Sequence, residues 1–271
     1  MKGLKHIANA VLGAVFACGM ALGAQAQESP LVAFETMQDS LGFDAVGRLD
    51  IRDKGFCTAA LVQERLILTA AHCVYDLDGS LISPDRFTFH AGLRDGRAEA
   101  TRRVLRAVPH PGYLFGEDAA SVALDIAVLE LDRPIRTTRV QPYRIAPRPF
   151  AGDEVRVVSY GRNRAEAPSL QDSCRILGRD RDVLVMTCNV EYGSSGSPVF
   201  TSVAGQMRIA SVVSAMATMD GEQVTLGASL VAPYNELMSH YAILGTQRLG
   251  VGQRVLNHGQ RNDTGAKFVR P

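Results

Sequence analysis

Two stretches of this 271-residue chain, Gly193-Ser194-Ser195-Gly196-Ser197-Pro198 and Thr69-Ala70-Ala71-His72-Cys73, carry residue types that could do chemistry together. A serine hydroxyl is a weak nucleophile by itself. It becomes competent when an imidazole within hydrogen-bond reach takes its proton and a third group orients that imidazole. Ser195 and His72 supply the first two parts, and Asp125, heading the apolar run Ile126-Ala127-Val128-Leu129, supplies the third. An acid there stands beside the core, where burial without a partner is costly. The chemistry implied is acyl transfer, with Ser195 as nucleophile, His72 as general base and then acid, and Asp125 as the group that fixes the imidazole tautomer. An oxyanion formed on the way needs fixed donors, and the backbone N–H groups of Gly193 and Ser195 would supply them. Gly193 permits the backbone conformation such a loop requires.

The elements that must position these residues read as strands. Apolar or alternating runs cover 56–62, 66–69, 87–91, 103–108 and 126–131, then 154–160, 174–177, 183–187, 198–201, 208–214 and 224–231, separated by Gly, Asp and Pro turns. Many short strands in two similar halves predict an all-β sandwich or barrel architecture. One helix is predicted from Pro233, because Tyr234, Leu237, Met238 and Tyr241 recur at helical spacing and Gly245 can stop it.

The ends of the chain speak to compartment. Lys2, Lys5 and His6 precede an apolar run over 7–22, and Ala24-Gln25-Ala26 follows as a small-x-small cleavage signal, so residues 1–26 read as a secretory signal peptide. The run is interrupted by Asn9 and is short for a spanning helix, so no stable membrane insertion is expected after its removal. Cys18 follows a bulky Phe16, which suits lipidation poorly. Removal takes two of the 29 Lys and Arg and none of the 28 Asp and Glu, leaving a net charge of −1. A nearly neutral chain has no field suited to nucleic acid. The segment 246–271 is the exception, with Arg248, Arg254, Arg261, Lys267 and Arg270 against Asp263 alone, and reads as a basic, disordered tail.

Four cysteines remain, Cys57, Cys73, Cys174 and Cys188, and an even number in an exported chain suggests disulfides. Three pairings are possible by count. Joining near neighbours, Cys57 to Cys73 and Cys174 to Cys188, is the economical one, at roughly 3 kcal/mol of stabilisation each in the chain-entropy model. The spacings lack the Cys-x-x-Cys pairs of structural zinc, and Asp76-Leu77-Asp78-Gly79 lacks the further ligands of a calcium loop, so no metal or cofactor is expected.

The order His72, Asp125, Ser195 resembles that of the trypsin-like (chymotrypsin-fold) serine peptidases. The serine motif is similar to the secreted bacterial branch that includes glutamyl endopeptidases. The resemblance covers residues 43 to 240 or so and rests on three motifs in one order. It implies two six-stranded antiparallel β-barrels, over 43–142 and 143–232, with the active site between them. An N-terminal arm or short prosegment over 27–42 and a C-terminal helix over 233–245 complete the layout. The resemblance further implies a hydrogen bond from Ser214 to Asp125, a Cys57–Cys73 bridge beside the histidine, and a specificity pocket of Asn189, Val190, Ser214, Ala215 and Met216. Neutral Asn189 stands where trypsin-type members carry Asp, which argues against cleavage after Lys or Arg. Met216 stands where many members have Gly and narrows the entrance. Cleavage after small or medium neutral residues follows, with Glu preference as runner-up, although Val190 and Val213 replace the threonine and histidine that hold a carboxylate in glutamyl enzymes. Ser194 replaces an Asp that, in digestive members, pairs with a freed N-terminal amine. The expected function is a secreted or periplasmic, monomeric serine endopeptidase acting on polypeptides; the alternative is a catalytically silent homologue that binds through the same cleft.

Overall fold

The computed structural model describes residues 28–116 and 119–252. The proposed signal peptide and most of the basic tail lie outside them. The first strand, β1 (Leu31–Ala33), belongs to the arm and pairs with a strand of the second half. The next six are β2 (Val46–Ile51), β3 (Gly55–Gln63), β4 (Leu66–Thr69), β5 (Phe87–Ala91), β6 (Ala100–Pro109) and β7 (Ala127–Leu131). They close into an antiparallel barrel in the order β2-β3-β4-β7-β6-β5. Strand β5 alternates cleanly, with Phe87, Phe89 and Ala91 buried, as a strand with one face on the core must. In β3, by contrast, every residue from Cys57 to Val62 is buried. One of its faces fills the barrel and the other meets the second half of the molecule.

That second half contains β8 (Glu154–Gly161), β9 (Arg164–Asp180), β10 (Val183–Met186), β11 (Pro198–Val203), β12 (Gln206–Met219) and β13 (Glu222–Ser229), in the order β1-β9-β10-β13-β12-β11-β8. A further pairing of β8 with β9 closes the ring into a second six-stranded barrel. The expected two-barrel, chymotrypsin-like fold is therefore present. One core cluster runs across both halves, and Phe200 of β11 packs 4.7 Å from Tyr143 and 5.7 Å from Phe43, ring centre to ring centre.

Four features depart from the strand-by-strand reading. Strand β2 was not expected, because Arg48 and Asp50 interrupt its apolar residues; the two pair with each other at 2.6 Å and so take the charge off the barrel wall. The expected 174–177 strand lies in the second half of a 17-residue β9, which pairs with β1, β8 and β10 along different parts of its length. A short helix α1 (Ala119–Ala123) precedes Asp125, and the C-terminal helix α2 (Val231–Gly252) continues past Gly245. Gly costs about 1 kcal/mol inside a helix, too little to stop one anchored by packing of Tyr234, Leu237, Met238 and Tyr241 against the core. The start of the expected disordered tail is thus helical. Among the described residues no helix is long and apolar enough to cross a membrane.

Candidate active site

His72 sits on a 3-10 turn (Ala71–Val74) directly after β4. Ala70 and Ala71 before it are fully buried, so the turn is pressed against the barrel with no side chain to hold it off. Asp125 lies between α1 and β7, 2% exposed. One carboxylate oxygen accepts the His72 backbone N–H at 2.8 Å and the other lies 2.7 Å from His72 Nδ1. The Ser214 hydroxyl, from β12 of the second barrel, donates to that same second oxygen. Burial alone would raise the Asp125 pKa. The His72 charge, the His72 ring and backbone N–H and the Ser214 hydroxyl outweigh it and hold the carboxyl below its ordinary value. Asp125 is therefore an ionised acceptor that engages His72 Nδ1 and leaves His72 Nε2, 3.8 Å from Cys73 Sγ, as the ring nitrogen it does not hold.

Ser195 occupies the loop between β10 and β11. Its carbonyl accepts the Thr58 N–H at 2.8 Å, and the Gly196 N–H donates to Val213 O at 2.8 Å, one residue from Ser214. Gly196 has φ +81°, and a Cβ there would fall 2.1 Å from Thr69 Oγ1 and 2.2 Å from Thr58 O. Only glycine lets the loop lie this close to the end of β4, two residues before Ala71 begins the histidine turn. Among the described residues the Ser195 hydroxyl makes no hydrogen bond, to His72 or to any other group. Such contacts are often long before substrate binds. The N–H groups of Gly193 and Ser195 likewise have no intramolecular acceptor among the described residues, whereas Ser194, Gly196 and Ser197 are all bonded. Free backbone donors of this kind are one requirement of an oxyanion hole.

Cys57–Cys73 ties β3 to the histidine turn, and Cys174–Cys188 ties β9 to the segment entering the pocket, as the economical pairing has it. Cys57, Cys73 and His72 lie close enough together for a metal, but both sulfurs are committed to the disulfide and offer no thiolate.

The candidate pocket residues are only loosely gathered. Gln223 donates to Val190 O at 3.2 Å and approaches Met216 Sδ at 3.6 Å, and so bridges the two walls. Val190 is buried and Ser214 and Ala215 half-buried, but Asn189 is exposed and its N–H is held by Gln171 Oε1 at 2.7 Å. Gln171, fully buried, also donates to Ser29 O of the arm. A cavity of about 600 Å³ opens elsewhere, beside the interbarrel segment, lined by Asp44, Arg139, Tyr143 and Arg144. It contains none of the candidate catalytic residues, and an extended peptide would need an open cleft.

Thr58, Gln171, Arg164 and Glu191 were not singled out in the sequence. Each is a common residue in an ordinary strand or turn, with no spacing that marks it.

Residues 36–237 match the family model described as Trypsin. The chain belongs to the trypsin family. An inactive serine protease, PAMR1, of Bos taurus is 31% identical over 157 residues, which are 53% of this chain and 21% of that protein. Trypsin Blo t 3 of Blomia tropicalis is 27% identical over 158 residues, 55% of this chain and 54% of its own length. The chain thus spans between a fifth and about half of these relatives. A solved Glu endopeptidase in complex with MPD superposes with a TM-score of 0.65 at 18% identity, covering 78% of this chain and 96% of that one. At that identity the likeness is one of fold.

Proposed function

We propose that this trypsin-family chain is an exported serine endopeptidase that hydrolyses peptide bonds through an acyl-enzyme on Ser195. The observation that carries the reading is the hydrogen-bond chain from Ser214 through Asp125 to His72, together with the two free backbone N–H groups of Gly193 and Ser195. Ser195 Oγ attacks the scissile carbonyl as His72 Nε2 takes the hydroxyl proton. The oxyanion rests on the Gly193 and Ser195 N–H groups. The tetrahedral adduct collapses as the C–N bond breaks and His72 returns the proton to the leaving amine. Water then enters, gives its proton to His72 and attacks the ester, which releases the acid and restores Ser195. Asp125 stays ionised throughout and stabilises the imidazolium.

A silent binding homologue is the second reading, favoured by the name of the bovine relative. A buried acid oriented on an imidazole serves no binding purpose, and its desolvation would be a cost without return. The deciding experiment is labelling of the purified protein with a fluorophosphonate, followed by peptide mapping. Modification of Ser195, lost in Ser195→Ala together with casein hydrolysis, is expected; an unlabelled Ser195 in folded protein would refute the proposal.

A further inference from the structure

Behind the oxyanion loop lies a charged cluster that the triad does not use. Strands β8 and β9 meet in a tight hairpin in which Gly161 pairs with Arg164. Each of the three residues after Gly161 reaches the segment 191–194. The Arg162 N–H donates to Tyr192 O at 2.7 Å, and its guanidinium lies 4.7 Å from the Tyr192 ring centre. Asn163 Nδ2 donates to Glu191 Oε2 at 3.2 Å. Arg164 Nε pairs with Glu191 Oε1 at 2.9 Å, and its Nη2 donates to Ser194 Oγ at 3.2 Å and Ser159 Oγ at 2.9 Å.

The Arg164 side chain is only 16% exposed, and a guanidinium so enclosed persists only where its fork is matched by acceptors. Ser194 is fully buried; its hydroxyl donates to Tyr160 O at 3.0 Å and accepts from Arg164 and from the Glu191 N–H. One donor and two lone pairs are all a hydroxyl has, so no acceptor is left for a second cation. The packing is equally closed. A Cβ on Gly161 would lie 2.1 Å from Glu191 Oε1, and one on Gly193 would lie 2.5 Å from Phe56 and 3.2 Å from Gly161 Cα. The hairpin and the loop are therefore in close contact, with no room for a Cβ between Gly161 and Gly193.

We propose that Arg164 is a positioning residue for the oxyanion loop: with Glu191 and Ser194 it forms a clasp internal to the second barrel that holds the Gly193 and Ser195 N–H groups in place without a charge supplied by the N-terminus. The inference rests on the reading of Ser195 as nucleophile. It makes the hole a property of the folded β8–β9 hairpin.

The test compares wild type, Arg164→Met, Arg164→Lys and Glu191→Gln, using one casein-derived peptide that the wild type cleaves and the trifluoromethyl ketone of that peptide, whose adduct carries the oxyanion. A displacement of about 1 Å at a reacting centre costs on the order of 10²-fold. The expected result is a loss of about that size in kcat and in ketone affinity for Arg164→Met and Glu191→Gln, KM changing less than about threefold. Arg164→Lys, which restores charge without the fork, recovers only part. A residue that merely stabilised the fold would lower the melting temperature and leave ketone affinity of the folded enzyme unchanged. Folded variants with wild-type kcat and ketone affinity overturn the clasp while leaving the nucleophile reading intact. Should Arg164→Met not fold, Glu191→Gln removes the ion pair at constant shape and decides alone. A wild-type protein whose Ser195 resists fluorophosphonate fails at the earlier step and removes both readings.

Discussion

Thr58 offers the sharpest test of how the two barrels build one site. Its hydroxyl donates to Gly193 O at 3.0 Å and accepts the Tyr160 N–H at 3.0 Å, and the side chain is fully buried. Thr58→Val keeps the shape and removes both bonds. The Gly193 carbonyl and the Tyr160 N–H are then left in the interface with no partner, and each such orphan costs about 1–3 kcal/mol. The total is roughly 2–5 kcal/mol, allowing for some relaxation. At about 2–4 °C per kcal/mol for a domain of this size, the melting temperature should fall by about 4–20 °C. Turnover should fall as well, because the freed carbonyl belongs to the residue whose N–H is proposed to face the oxyanion. The backbone bonds of Thr58 to Ser195 O and Thr69 Oγ1 survive the substitution, so the protein should still fold. Thr58→Ser keeps the hydroxyl and should retain most of the turnover. Urea titration and peptide kinetics on the three proteins decide the matter. A Thr58→Val protein within about 0.5 kcal/mol of wild type and with unchanged kcat would show that these bonds do not hold the loop.

Gly196→Ala should abolish fluorophosphonate labelling, since its Cβ would collide with Thr69 and with the Thr58 carbonyl at a positive φ; labelling at the wild-type rate would mean the loop can lie farther from β4 than described. The Asp125 carboxyl has a lowered pKa, so its ionisation stabilises the fold above the unfolded carboxyl value, about 3.9, and that contribution is lost as pH falls through the lower folded value. The gap in urea midpoint between wild type and Asp125→Asn should therefore be full at pH 7 and narrow below about pH 4; a gap that widens in acid contradicts the assignment. Gln171→Leu strips the Asn189 N–H and Ser29 O of their partners, which should destabilise the protein by about 1–3 kcal/mol, read by urea unfolding, with no change as the failing outcome. Profiling on a mixed peptide library should show cleavage after small or medium neutral residues, and dominant cleavage after Arg or Lys would reject Asn189 as the pocket base.

The parts legible in the sequence are those where chemistry restricts residue type. A serine, a histidine and an acid in one order can be read because few other residues could do their work, and four cysteines can be paired because neighbours in a strand-rich chain tend to be neighbours in space. Strand β2 was illegible because Arg48 and Asp50 look like a turn until their mutual pairing is seen. The length of β9 was hidden by Pro168 and by the polar residues around it. Pro168 is tolerated because its carbonyl, not a missing N–H, is what the arm uses, accepting from Phe34 at 3.0 Å.

The site itself is divided between the barrels, and this explains why its supporting residues carry no signature. His72 and Asp125 belong to the first barrel, Ser195 and Ser214 to the second, and bonds that cross at the site are made by Thr58, Ser214 and main-chain groups. Any hydroxyl at the right height on a buried strand could make them. Residue identity is thus weakly constrained there, while position is constrained by the close backbone approaches at Gly193 and Gly196, which leave no space for a Cβ. A motif search sees identity and is blind to position. On the proposed reading the seam between the barrels also positions the catalytic groups, so substitutions at the Thr58 seam should change stability and turnover together, whereas those at the exposed rim should change neither.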